Sequence, residues 1–205
     1  MINSPLLDNL REVGVQPESV DYVFCTHLHL DHVGWNTRLE NGRYVPTFPN
    51  ARYLFSAAEE AYWRRDLTGD LPKEDEFYNK GVFAECILPI QQAGLAQTAE
   101  PGLKIADCLT FIEAAGHTVG HLAGVLESGN EGAVLAGDAI HHPLQVVFHD
   151  RRSHAFDSEQ ASATRIKLLD LCAERGYWLA PAHFRAPHVC RIAKEGGRYR
   201  LLWPQ

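Results

Sequence analysis

Four side chains able to bind a metal ion fall within six positions of one another in Thr26-His27-Leu28-His29-Leu30-Asp31-His32-Val33-Gly34. Imidazole nitrogen and carboxylate oxygen are the ligands that zinc and related divalent cations accept. The stretch follows the apolar run 20–25, which reads as a buried strand. In extended backbone alternate residues share a face, so His27, His29 and Asp31 are expected on one side, with Leu28 and Leu30 turned into the core. His32 then falls where the chain turns, and Gly34 permits the backbone angles of a turn. The spacing differs from HExxH, in which two histidines four apart share a helix face. The alternative is a histidine-rich loop whose imidazoles are simply packed. Four ligand-type residues at this spacing weigh against it.

His27-x-His29-x-Asp31-His32 resembles the HxHxDH signature of the metallo-β-lactamase superfamily. Later motifs resemble the remaining family elements in order: Gly116-His117-Thr118-Val119-Gly120-His121, Ala136-Gly137-Asp138 and Pro181-Ala182-His183. The resemblance runs from about Val20 to the C-terminus and implies an αββα sandwich. It further implies two Zn2+ per chain, with iron, manganese or cobalt as substitutes. His27, His29 and His117 would bind one ion, Asp31, His32 and His183 the other, and Asp138 would bridge them. Two cations about 3.5–4 Å apart can share a hydroxide, because binding lowers the pKa of water from 15.7 to about 7. The activity implied is a metal-dependent hydrolase whose dinuclear-zinc-bound hydroxide cleaves an ester, lactone or related small-molecule bond. Asp138 and His141 are the expected proton-handling residues. Without cations, Asp31 and Asp138 would crowd like charges together unless they protonated.

The branch is narrowed by departures from the family pattern. Zinc β-lactamases lack a carboxylate bridge at the Asp138 position. Glyoxalase II shares the ligand set, but its basic glutathione-binding segment has no counterpart here. His141-His142-Pro143 is more similar to lactonases and organophosphate hydrolases, although homoserine lactonases carry Tyr where His141 stands. An imidazole there could still bind a carbonyl oxygen or move a proton. His121 either orients a ligand through a hydrogen bond or is a packed strand residue. His142 has no assigned role, and His149, His154 and His188 read as surface or loop residues. Two rival functions remain: an iron-dependent oxidoreductase of the same superfamily, and a metal-binding protein without catalysis.

Composition agrees with an enzyme of small molecules. The 205 residues are 45% hydrophobic and 22% charged, which suits a single globular domain, 1–205. A net charge of −7 argues against a nucleic-acid partner. No apolar run reaches membrane-spanning length and residues 1–5 lack signal-peptide character, so no membrane partner and a cytoplasmic location are expected. Cys25, Cys86, Cys108, Cys172 and Cys190 are scattered and odd in number, and read as reduced, mostly buried thiols.

The elements that must position these residues alternate between strand and helix, the pattern of an α/β class. A helix is expected from Leu6 to Val13, stopping at Gly14. A hairpin is expected at Asn41-Gly42, and a strand at 51–55. A helix then follows from a Ser56/Glu59 capping box to Arg65. Residues 66–100 read either as a helical insert or lid over the active site, shaping a substrate pocket or a dimer contact, or as ordinary core helices. Strands follow at 103–105, 109–113, 121–126 and 132–136, a helix at 158–176, and strands at 177–180, 188–193 and 199–202. Only 26 residues precede His27, where family members place several strands, so an incomplete first sheet is expected. An exposed sheet edge recruits partners, so a homodimer or higher homo-oligomer is expected.

Overall fold

A computed structural model of the chain describes residues 5–153 and 155–204. Residues 1–4 and His154 lie outside the described residues. Contacts divide the chain into two compact units, 5–55 with 60–98 and 56–59 with 99–204. No helix among the described residues is long and apolar enough to cross a membrane.

The first unit begins with α1 (Leu6–Glu12) and β1 (Tyr22–Phe24). β1 is shorter than the apolar run that announced it, and it is exposed at Tyr22 and only half-buried at Val23 and Phe24. After residues 25–29 comes a single helical turn, α2 (Leu30–Val33). Here the expected side-chain alternation fails: Leu28 is fully buried, but Leu30 is 49% exposed. The backbone leaves the extended conformation after His29, so Leu30 opens a helical turn and its side chain no longer points inward. β2 (Thr37–Glu40) and β3 (Arg43–Pro46) form the expected hairpin, with φ of 51° at Asn41 and 76° at Gly42.

β4 (Arg52–Phe55) pairs in parallel with β1 on one side and with β5 (Ala96–Thr98) on the other. Between β4 and β5 run the helices α3 (Ala57–Trp63), α4 (Lys73–Asn79) and α5 (Leu88–Gln92). Phe83, Ile87 and Ile90 of this segment are buried with Tyr53 and Phe55 in the core of the unit. Each such side chain contributes roughly 1.5–3 kcal/mol by leaving water. Phe77 and Tyr78, in contrast, are exposed.

The second unit is built on a sheet ordered β12-β11-β10-β9-β8-β7-β6 among the described residues. These strands are β6 (Lys104–Ile105), β7 (Leu109–Glu113), β8 (Leu122–Ser128), β9 (Glu131–Gly137), β10 (Trp178–Pro181), β11 (Cys190–Glu195) and β12 (Arg198–Leu202). All neighbours are antiparallel except β9 and β10, which run parallel. A parallel pair requires a long crossover. The chain between them includes the short α6 (Leu144–Val147) and the long α7 (Ser158–Arg175). α7 starts where the Asp157 carboxylate accepts the Glu159 and Gln160 N–H groups, and it ends at Gly176 with φ 66°. Its buried Leu168, Leu169 and Cys172 share a core with Val134, Leu179, Cys190 and Ile192.

All five cysteines are free, and Cys25, Cys86, Cys172 and Cys190 are buried. Burial pushes their thiols up, to about 11 for Cys25, Cys86 and Cys190 and about 12 for Cys172.

Candidate metal centre

In the first unit the chain leaves β1, bends at Thr26 and His27, and places His29 on extended backbone before α2 begins. His27 is fully buried, and its Nε2 stands 3.0 Å from His29 Nδ1. The His27 and His32 ring centroids are 4.1 Å apart. His32 Nε2 lies 3.4 Å from Asp31 Oδ2. The chain bends at His27, and Asp31 and His32 sit in the helical turn, so the expected common extended face of His27, His29 and Asp31 does not form. The four motif residues nonetheless gather, because one helical turn brings consecutive side chains round toward the preceding imidazoles.

The loop is gripped from within its own unit. Asn79 donates from Nδ2 to the Leu28 carbonyl at 2.9 Å and accepts the Leu30 N–H on Oδ1 at 2.9 Å. Trp63 meets the His29 ring edge-on at 5.2 Å.

In the second unit Asp138 follows β9 directly and is 4% exposed. Three imidazole Nε2 atoms converge on its Oδ2: His141 at 3.0 Å, His183 at 3.3 Å and His117 at 3.5 Å. The candidate ligand atoms of His117, Asp138 and His141 all lie within 4.8 Å of one another. His117 belongs to the loop between β7 and β8, and two glycines let that loop pack closely. Gly116 has φ 127°, and a Cβ there would stand 2.3 Å from the Ala161 backbone nitrogen at the start of α7. Gly120 lies against 56–59, where its N–H donates to Glu59 Oε1 at 2.8 Å and its carbonyl accepts from Ser56 Oγ at 2.7 Å. The Ser56 half of the expected capping box is present, since Ser56 Oγ accepts the Glu59 N–H at 3.1 Å, while Glu59 Oε1 serves Gly120. The same two residues therefore also hold the His117 loop.

His121 meets the main chain of Asp138. It is fully buried, and its Nε2 accepts the backbone N–H of Asp138 at 3.1 Å, which puts the ring proton on Nδ1. Gln145 holds the next stretch: its Oε1 accepts the N–H of His141 at 2.7 Å and of His142 at 3.2 Å. His141 and His183 rings are parallel within 2°, with centroids 5.5 Å apart. His142 is exposed and accepts the Leu144 N–H on Nδ1. His188 is exposed, with Nδ1 2.7 Å from the Phe184 carbonyl. His149 is half-buried and packs edge-on against Tyr199. Asn79 and Gln145 had no signal in the sequence, because each acts on backbone groups through a side-chain amide.

The donor set fits divalent cations. Two nitrogens on one tetrahedral zinc at 2.0–2.1 Å stand about 3.3 Å apart. The 3.0 Å between His27 Nε2 and His29 Nδ1, and the 3.0–3.5 Å about Asp138 Oδ2, are close to that scale. The His117 and His183 imidazoles beside a buried carboxylate are ligand types that divalent cations accept.

Comparison with known proteins agrees with this arrangement. An N-acyl homoserine lactonase of a Bacillus sp is 26% identical over 164 residues, which are 79% of this chain and 56% of that relative. The chain thus spans little more than half the length of the lactonase relatives it matches, 54% for one from Bacillus cereus. The crystal structure of hydrolase AbOPH, in the beta lactamase superfamily, superposes with a TM-score of 0.84 at 30% identity, covering 98% of this chain and 70% of that one. AidC, a dizinc quorum-quenching lactonase solved with a product, gives a TM-score of 0.82 over 98% of this chain and 70% of its own; at 21% identity that likeness speaks for the fold alone. A model of the Metallo-beta-lactamase superfamily matches residues 3–183, a span that takes in all four motifs. By that match and this fold, the chain belongs to the metallo-β-lactamase superfamily.

Proposed function

We propose that the chain is a metal-dependent hydrolase that opens an ester, lactone or related bond in a small molecule, using two divalent cations, zinc by preference. The observation that carries this reading is the convergence of His117, His141 and His183 Nε2 atoms within 3.0–3.5 Å of the buried Asp138 Oδ2. The order of the four motifs supports assigning His27, His29 and His117 to one ion, and Asp31, His32 and His183 to the other, with Asp138 serving both. Lactonase relatives support a small cyclic or linear ester as the substrate class.

When bound, the ions supply Lewis acidity and a water acidic enough to ionise near neutral pH. The protein's own part is positional and protonic. His121 fixes the main chain of Asp138, so its carboxylate is set before any ligand arrives. Asp138 Oδ2 and His141 Nε2, 3.0 Å apart, form a pair able to hold a proton and pass it to the departing oxygen. Gln145 anchors the backbone of His141, which keeps that imidazole turned to Asp138.

Turnover by the zinc-loaded chain, followed with an activated aryl ester and a γ-lactone, tests the reading. Hydrolysis that chelator abolishes and zinc restores is expected. A fully metal-loaded chain that turns over neither class would make it a binding protein instead.

A further inference from the structure

Helix α4 has little hold on the core of its unit: Phe77 and Tyr78 are 81% and 66% exposed, and the buried residue among its described members is Asn79. That buried side chain is spent on the metal-type loop. Its Nδ2 donates to Leu28 O and its Oδ1 accepts Leu30 N–H, both at 2.9 Å, so one planar amide grips the backbone on either side of His29. The amide orientation is determined by its partners, since the flipped form would set donor against donor and acceptor against acceptor. The Leu30 N–H is also one of the first-turn donors of α2, which a helix cannot satisfy internally. The same bond therefore caps the turn that carries Asp31 and His32. Beyond Asn79 the chain is held again, by Asp66 Oδ1 accepting the Gly81 N–H at 3.0 Å, and it then enters the core at Val82 and Phe83.

We propose that Asn79 is a positioning residue for the His27–His32 loop and that, through it, docking of α4 and cation binding stabilise each other. This rests on reading that loop as a set of metal ligands. A loop held in the binding geometry loses less freedom when the ion arrives, and linkage requires the ion to return the same free energy to the contact that holds the loop. The insert 66–100 is then a support whose order reports metal occupancy.

The test compares four proteins: wild type, Asn79→Leu, Asn79→Asp and Ile90→Val. Leucine removes both hydrogen bonds at similar volume, aspartate keeps the acceptor for Leu30 N–H, and Ile90→Val loosens the same core without touching the loop's hydrogen bonds. Zinc affinity is read by competition with a chromophoric chelator, without reference to activity. Asn79→Leu should bind zinc roughly 10–100-fold more weakly. Asn79→Asp should fall between, and Ile90→Val should match wild type. Hydrogen exchange gives the reciprocal reading: zinc should slow exchange across residues 73–79 in wild type and not in Asn79→Leu. Equal zinc affinity in Asn79→Leu and wild type, or affinities that follow melting temperature across all four proteins, would overturn the proposal. So would exchange in α4 that zinc leaves unchanged. A wild-type chain that binds no zinc overturns the metal reading and this coupling together. The clasp is then still decided by itself, since Leu30 amide exchange in the zinc-free chain should be faster in Asn79→Leu than in wild type.

Discussion

Replacing His121 by leucine removes the imidazole acceptor that the Asp138 N–H meets at 3.1 Å, at a site with no exposure to solvent. Leucine fills comparable space, so the change is largely a loss of polarity at fixed volume. An N–H that loses its acceptor where water cannot replace it costs about 1–3 kcal/mol. In a chain of this size that corresponds to a melting temperature lower by about 2–12 °C. Thermal unfolding by circular dichroism, run in chelator so that metal does not contribute, measures this directly. His121→Gln, whose amide oxygen can approach the same N–H, should recover part of the loss. The ligand consequence is separate: with its main chain released, Asp138 should hold cations roughly 10–100-fold less well. If His121→Leu melts with wild type and keeps wild-type zinc affinity, the hydrogen bond has no orienting role and His121 is only a packed residue.

Three further outcomes follow from the same structure. His141→Phe should lower turnover of an activated ester while metal content by mass spectrometry stays close to wild type; loss of metal would make His141 a ligand. Burial holds four of the five thiols at about 11 to 12, so a thiol reagent at pH 8 should find Cys108, the half-buried one, first; fast reaction of Cys25 or Cys172 in the native chain would contradict the core described here. The outer edges of β1 and β5 have no strand partner among the described residues, so light scattering at micromolar concentration should report a dimer or larger species; a monodisperse monomer would show that the edges are blunted another way.

Much of the site was legible because its chemistry is local in sequence. Four ligand-type residues within six positions need no tertiary knowledge to be noticed, and the Asn41-Gly42 turn and the Gly176 terminus obey backbone rules that act over a few residues. What the sequence concealed depends on distant partners. β5 is three residues, Ala96-Gln97-Thr98, with no apolar run of its own, and it exists as a strand because β4 pairs with it. The alternation that would turn Leu30 into the core stops one residue earlier, where the chain turns into α2. Asn79 acts across about fifty positions on backbone groups, which carry no residue identity to read. Gln145 is close to His141 in sequence, but its short α6 lacks the length and periodicity that betray a helix.

The central claim is that these two clusters of histidine and aspartate hold a pair of divalent cations, and metal stoichiometry tests it most directly. The chain, stripped with chelator, dialysed against zinc and analysed by native mass spectrometry, should carry close to two ions. Asp138→Ala should lose both, and His183→Ala mainly one. A wild-type chain that keeps its fold by circular dichroism and retains no stoichiometric metal at neutral pH would contradict the account at its base.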